Sequence, residues 1–157
     1  MKTKPWLLLL LALALALLTT CGPKQNCAES HDPRNTRTLR ICTDKKKYDF
    51  GEPVHITFTV TNISDETLEF DGGDKPVIDI GIAQEYWSDG QELTPELTRV
   101  TLEPGESRTI ELVWPTPRTD LEALSGYGAL HISVGGYVRP FPGTDRVVGV
   151  DVHYRSP

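Results

Sequence analysis

The residues of this 157-residue chain with the most chemistry to offer are its three cysteines and four histidines. Cys21 stands at the end of a segment in which Lys2 and Lys4 supply charge, Trp6 to Leu18 is unbroken apolar sequence, and Leu18-Thr19-Thr20-Cys21-Gly22 closes it. That order reads as a bacterial lipoprotein export signal, with the Cys21 thiol taking lipid and becoming the mature N-terminus. The apolar core is well short of the ~20 residues a membrane-spanning helix needs. The alternative, a secretory signal cut without lipidation, lacks an Ala-x-Ala site after the core. Two or more acyl chains would tether the protein to a membrane without spanning it.

With Cys21 committed to lipid, Cys27 and Cys42 remain as a pair in an oxidising compartment, and a disulfide between them is expected. Leu39, Ile41 and Thr43 share one strand face, so Cys42 points away from the core. Closing such a loop contributes about 3 kcal/mol in the chain-entropy account.

His31 lies in a polar stretch, whereas His55, His131 and His153 each fall opposite an apolar row. Solvated strand histidines satisfy that pattern, and no metal or other cofactor is expected. Asp71-Gly72-Gly73-Asp74 lacks the alternating oxygen ligands of a calcium loop and reads as a tight turn. No Gly-x-Ser-x-Gly occurs, and no cysteine or serine sits in a nucleophile pattern, so the reading is of a protein that is not an enzyme. An envelope enzyme using paired carboxylates is the least favoured alternative, since their separation is a three-dimensional quantity.

Loss of residues 1–20 removes Lys2 and Lys4, taking 16 basic residues to 14 against 22 acidic and the formal charge from -6 to -8. Such a balance opposes binding to nucleic acid or anionic lipid, both of which reward clustered Lys and Arg. The only basic run, Lys45-Lys46-Lys47, reads as a solvated turn.

Positioning these residues falls to strands. Val54, Ile56, Phe58 and Val60 alternate with His55, Thr57, Thr59 and Thr61, giving one buried and one wet face over Val54–Asn62. Similar signals mark 37–43, 67–70, 77–83, 98–102, 107–114, 129–138 and 146–154, with one weak helical segment at 119–124. Gly135-Gly136 interrupts an apolar row and suggests a bulge or a close backbone approach. The expected fold class is all-β, an antiparallel immunoglobulin-like sandwich behind a cleaved signal. The expected domains are a signal peptide at 1–20, a polar tether at 21–36 and the sandwich at 37–157.

Tyr48-x-x-Gly51-Glu52-Pro53-Val54 is followed by Val60-Thr61-Asn62-Ile63-Ser64-Asp65-Glu66-Thr67-Leu68 and Asp79-Ile80-Gly81-Ile82. Tyr86-Trp87-Ser88-Asp89-Gly90, then Leu102-Glu103-Pro104-Gly105-Glu106-Ser107 and Trp114, complete the set. In order and spacing, over most of residues 39–134, these motifs resemble the intracellular proteinase inhibitor (BsuPI-type) domain family. The chain departs from the pattern at Leu93, where the family tends to have Phe, and at Gly126-Tyr127-Gly128. The resemblance implies an immunoglobulin-like sandwich and a role in inhibiting proteinases. It carries over no inhibitory residue.

Two segments could meet a partner. Arg139-Pro140-Phe141-Pro142-Gly143-Thr144-Asp145-Arg146 joins the last two strands and holds an aromatic between prolines, where little entropy is lost on binding. Arg139, Phe141 and Arg146 are its candidate contacts, the alternative being that Phe141 folds back to cap the sandwich. Glu85–Leu97 offers Trp87, whose bulk also suits the edge of the core. The functional expectation is a lipid-anchored, extracytoplasmic, non-catalytic binding module of the bacterial envelope with an unknown protein partner. The alternative is a serine protease inhibitor acting through an exposed loop.

Overall fold

The computed structural model describes residues 25–49, 51–82, 85–89, 91–115, 130–139 and 146–154, without the side chains of residues 130, 146 and 147. Cys21, expected to carry lipid, the expected signal at 1–20, the expected helical segment at 119–124 and Phe141 lie outside the described residues.

Eleven strands are described: β1 (Asn26–His31), β2 (Arg37–Thr43), β3 (Lys47–Tyr48), β4 (Val54–Asn62), β5 (Leu68–Asp71), β6 (Ile78–Ile82), β7 (Glu85–Tyr86), β8 (Arg99–Leu102), β9 (Ser107–Trp114), β10 (Leu130–Val138) and β11 (Arg146–Tyr154). One sheet runs β1-β2-β4-β9 and the other β3-β11-β10-β6-β7, with β5 and β8 forming a separate ribbon. All pairs are antiparallel apart from β3 with β11. The protein is therefore all-β with sheets packed as a sandwich, as its period-two alternation predicts.

The alternation in β4 buries Val54, Ile56, Phe58 and Val60 against Ile80, Ile82, Val134, Val150 and Val152 of the second sheet, all in one core cluster. On the wet face, Thr59 meets Thr109 at 2.9 Å and Thr61 meets Ser107 at 2.8 Å, so hydroxyls pair across β4 and β9. Elsewhere in the core, Tyr154 meets Tyr48 at a tilt and Trp114 edge-to-face, with centroids 5.9 and 6.5 Å apart. The Tyr48 hydroxyl donates to Asp44 Oδ1 at 2.6 Å. Burial, reinforced by that bond, raises its pKa above the ordinary tyrosine value.

The expected 21–36 tether requires correction, because Asn26–His31 is a strand paired with β2 from Asn26↔Thr43 to His31↔Thr38. Its alternation is easy to miss: Asn26, Ala28 and Ser30 are half-buried while Cys27, Glu29 and His31 are exposed, and only Ala28 is an apolar residue packed on the core. An edge strand needs few apolar residues when its backbone pairing and a covalent link hold it. The link is the Cys27–Cys42 disulfide, which joins residues directly opposite each other in the β1–β2 register. Cys42 lies on the outer face, as its place in β2 requires, and is covered there. Among the described residues, the sandwich thus begins at Asn26.

Asp71-Gly72-Gly73-Asp74 is a tight turn, with Gly73 at φ +66° and its N–H donating to Asp71 Oδ1 at 2.9 Å. Pro95–Thr98, a single helical turn, replaces the start of the expected 98–102 strand. Gly136 answers to the close approach anticipated for the Gly pair. The register shifts between Gly136 and Tyr137, and a Cβ on Gly136 would stand 2.6 Å from Phe58 Cε2. Because Phe58 is fully buried, the ring has nowhere to go, and Gly136→Ala is expected to destabilise the fold by about 1–3 kcal/mol. A denaturant midpoint unchanged in the variant would contradict this packing.

Candidate functional site

Three loops meet where β1 and β4 of the first sheet and β8 of the separate ribbon finish: residues 32–36, 62–67 and 103–106. The buried polar side chains in these loops are Asp32 and Asn62. In the first, the Asp32 carboxylate accepts from Thr36 N at 2.6 Å and Arg37 N at 3.1 Å through Oδ1, and from the Thr36 hydroxyl at 3.0 Å through Oδ2. Asn35 N donates to Asp32 O at 2.9 Å, closing a turn over Pro33 and Arg34, and Asn35 takes φ +55°, a conformation asparagine tolerates.

Burial pushes the Asp32 carboxyl up, but the hydrogen bonds and the nearby Arg37 charge outweigh it and hold the pKa below its usual value of 3.8. A depressed folded-state pKa gives stability that is complete above 3.8 and lost as pH falls through the lower folded value. Wild type is therefore expected to exceed Asp32→Asn by about 1–2 kcal/mol at pH 7, with the gap shrinking below pH 3.8. Paired urea melts across that range test this, and a gap independent of pH would contradict it.

Asn62 organises the other two loops. It is fully buried, and its amide donates to Glu66 O at 2.8 Å and Leu102 O at 2.9 Å while its Oδ1 accepts from Ser64 N and Ser64 Oγ at 2.9 and 2.7 Å. Its backbone bonds Glu106 O and Gly105 N, and Ile63 N donates to Thr36 O at 2.9 Å, joining the first loop to the second. On this hydrogen-bonded support Arg34 is exposed and Ile63 is 43% exposed.

The candidate contacts named from sequence fall elsewhere. Trp87 is half-buried and packs on the core, its segment held by the buried Asp79. Asp79 Oδ1 accepts from Ile80 N at 3.0 Å and Ser88 N at 3.2 Å, and Oδ2 accepts from the Ser88 hydroxyl at 2.7 Å. Arg139, expected to face a partner, turns inward: its Nη1 lies 3.7 Å from Asp79 Oδ2 and donates to Pro76 O at 3.0 Å, leaving the side chain 13% exposed. The guanidinium is drawn to the carboxylate beneath it. Burial raises the Asp79 pKa despite the Ser88 and Ile80 hydrogen bonds and the Arg139 charge. Arg146 begins β11, but its side chain, like the Phe141 loop, lies outside the described residues.

His131 and His153 sit opposite each other on β10 and β11 with ring centroids 4.1 Å apart. Desolvation first, then the charges of His131, Lys46 and Lys47 against that of Asp151, keeps His153 below its usual pKa. Among the described residues, no three His, Cys, Asp or Glu side chains gather as metal ligands. Asp32 and Asn62, which hold the end loops, and Asp79, which holds the Trp87 segment, are the residues that sequence reasoning missed. Asp32-Pro33 and Asn62-Ile63-Ser64 carry turn signals, but nothing in them announces burial.

Against protein families, residues 41–131 match the model described as intracellular proteinase inhibitor, BsuPI. The chain belongs to the BsuPI family. The match takes in β3 through β9 whole, including the Asn62 network and Asp79, whereas the disulfide-closed hairpin lies mostly ahead of it. No curated protein matches the BsuPI chain by sequence. Among solved structures, β-glucosidase from Listeria innocua in complex with glucose is 19% identical over 84% of this chain and 16% of its own, with a TM-score of 0.39. The Pseudomonas fluorescens alkylpurine DNA glycosylase AlkC bound to DNA containing an abasic site analog is 15% identical over 90% of this chain and 33% of its own, with a TM-score of 0.40. The chain spans a sixth to a third of those proteins, and superposition at that level carries no argument about activity.

Proposed function

We propose that the protein is a lipid-anchored, non-catalytic binding module of the bacterial envelope whose partner is a proteinase, which it inhibits through its rigid end loops. Membership of a proteinase inhibitor family is the observation that carries the reading. The loop cluster supports it physically. A surface ordered in advance by Asp32 and Asn62 loses little conformational entropy on docking and resists the extension that cleavage requires. The export signal ending at Cys21 supports an extracytoplasmic site of action, so the target would be an exported proteinase and not a cytoplasmic one.

The test is inhibition of serine proteinases of several specificities by the full-length protein in detergent micelles, with intact mass recorded throughout. Dose-dependent inhibition with the chain intact is expected. Absence of inhibition across the panel, or simple digestion, would overturn the proteinase reading. Mass spectrometry of the cell-made protein tests the anchor, which an unmodified terminus away from Cys21 would refute.

A further inference from the structure

The disulfide-closed hairpin presents one side chain that no structural role absorbs. Arg34 stands at the tip of the β1–β2 turn and is exposed, and no ion-pair or hydrogen-bond partner holds it among the described residues. Across the described loops 32–36, 62–67 and 103–106 it is the sole cation, set against Asp32, Asp65, Glu66, Glu103 and Glu106. Everything beneath it is fixed. Asp32 accepts three hydrogen bonds from Thr36 and Arg37, Asp32 N bonds Arg37 O at 3.2 Å, and Cys27–Cys42 ties the two strands covalently.

We propose that Arg34 is the specificity-determining contact, its guanidinium entering the primary pocket of a trypsin-like serine proteinase. This rests on the inhibitor reading above and adds to it a partner class. A pocket with a carboxylate at its floor selects a guanidinium, and a desolvated pair of that kind gives strong discrimination. The hairpin lies ahead of most of the family-matched residues, so the family name does not assign the contact. The backbone geometry explains why such a side chain would not mark a cleavage point. The bond after Arg34 leads into Asn35 at φ +55° in a turn closed by Asn35 N to Asp32 O, and cleavage needs this segment extended. Opening the turn would break the Asp32 network at the same time.

Inhibition constants of the full-length protein, Arg34→Ala and Arg34→Lys are measured against trypsin-like, chymotrypsin-like and subtilisin-like proteinases, with melting temperatures and intact masses alongside. The trypsin-like enzyme is expected to be inhibited, with Arg34→Ala weakening inhibition at least about 100-fold and Arg34→Lys by no more than about 10-fold. Unchanged melting excludes a folding effect, since Arg34 packs on nothing described. Equal inhibition by Arg34→Ala, or inhibition confined to the other two classes, would overturn the Arg34 assignment and leave the inhibitor reading standing. Rapid cleavage after Arg34 with loss of inhibition would also overturn it. Inhibition of none of the three classes would overturn both.

Discussion

Asp79→Ala is expected to destabilise the protein by roughly 3–5 kcal/mol, a fall in melting temperature of about 10–20 °C. The carboxylate is 1% exposed and serves three donors, from Ile80 N, Ser88 N and the Ser88 hydroxyl, with Arg139 3.7 Å away. Alanine leaves those donors without an acceptor and the inward-turned guanidinium without its countercharge. Removing one partner of a buried ionic network costs more than the intact network contributes. Asp79→Asn separates the two parts of the effect, because an amide oxygen can still accept from the backbone donors while the charge facing Arg139 is gone. It should fall between wild type and Asp79→Ala. Thermal melts by circular dichroism decide the matter, and an alanine variant melting within 3 °C of wild type, a margin of about 1 kcal/mol, would contradict the network.

Asn62→Asp should destabilise by a comparable amount, roughly 3–5 kcal/mol, although it preserves size and shape. The Asn62 amide nitrogen donates to the carbonyls of Glu66 and Leu102, and a carboxylate in its place turns two hydrogen bonds into two repulsions inside the protein. The acid can relieve this only by protonating, so Asn62→Asp should recover part of its stability as pH falls, the reverse of the Asp32 contribution. A raised folded-state pKa in a buried carboxyl makes ionisation, not protonation, the destabilising event. Urea midpoints at pH 7 and pH 4 measure both features. A variant as stable as wild type at pH 7 would show that Asn62 does not bear the end loops.

Strand positions were the legible part of this protein. Arg37–Thr43, Val54–Asn62, Ser107–Trp114 and Arg146–Tyr154 have the bounds their alternation predicts, because a sandwich strand with one wet face writes its register into every second residue. The BsuPI resemblance was also legible, since its motifs are turns and strand starts whose order survives in sequence. Asn26–His31 was not, because Cys27, Glu29 and His31 alternate with Asn26, Ala28 and Ser30 in a pattern with almost no hydrophobic contrast. The buried roles of Asp32, Asn62 and Asp79 were likewise hidden. Aspartate and asparagine in turns usually face water, and their burial here follows from side-chain hydrogen-bond partners as far as 40 positions away, as with the Leu102 carbonyl that accepts from Asn62. Arg139 misled for the same reason: its partner, Asp79, lies 60 residues earlier in the chain.

The claim that the end loops form the inhibitory surface is tested most directly by hydrogen exchange on the complex of the full-length protein with an inhibited proteinase. Amides of residues 32–36, 62–67 and 103–106 are predicted to gain protection together on binding, while those of Glu85–Leu97 keep their free rates. Protection confined to Glu85–Leu97, or no complex with any proteinase, would contradict the account.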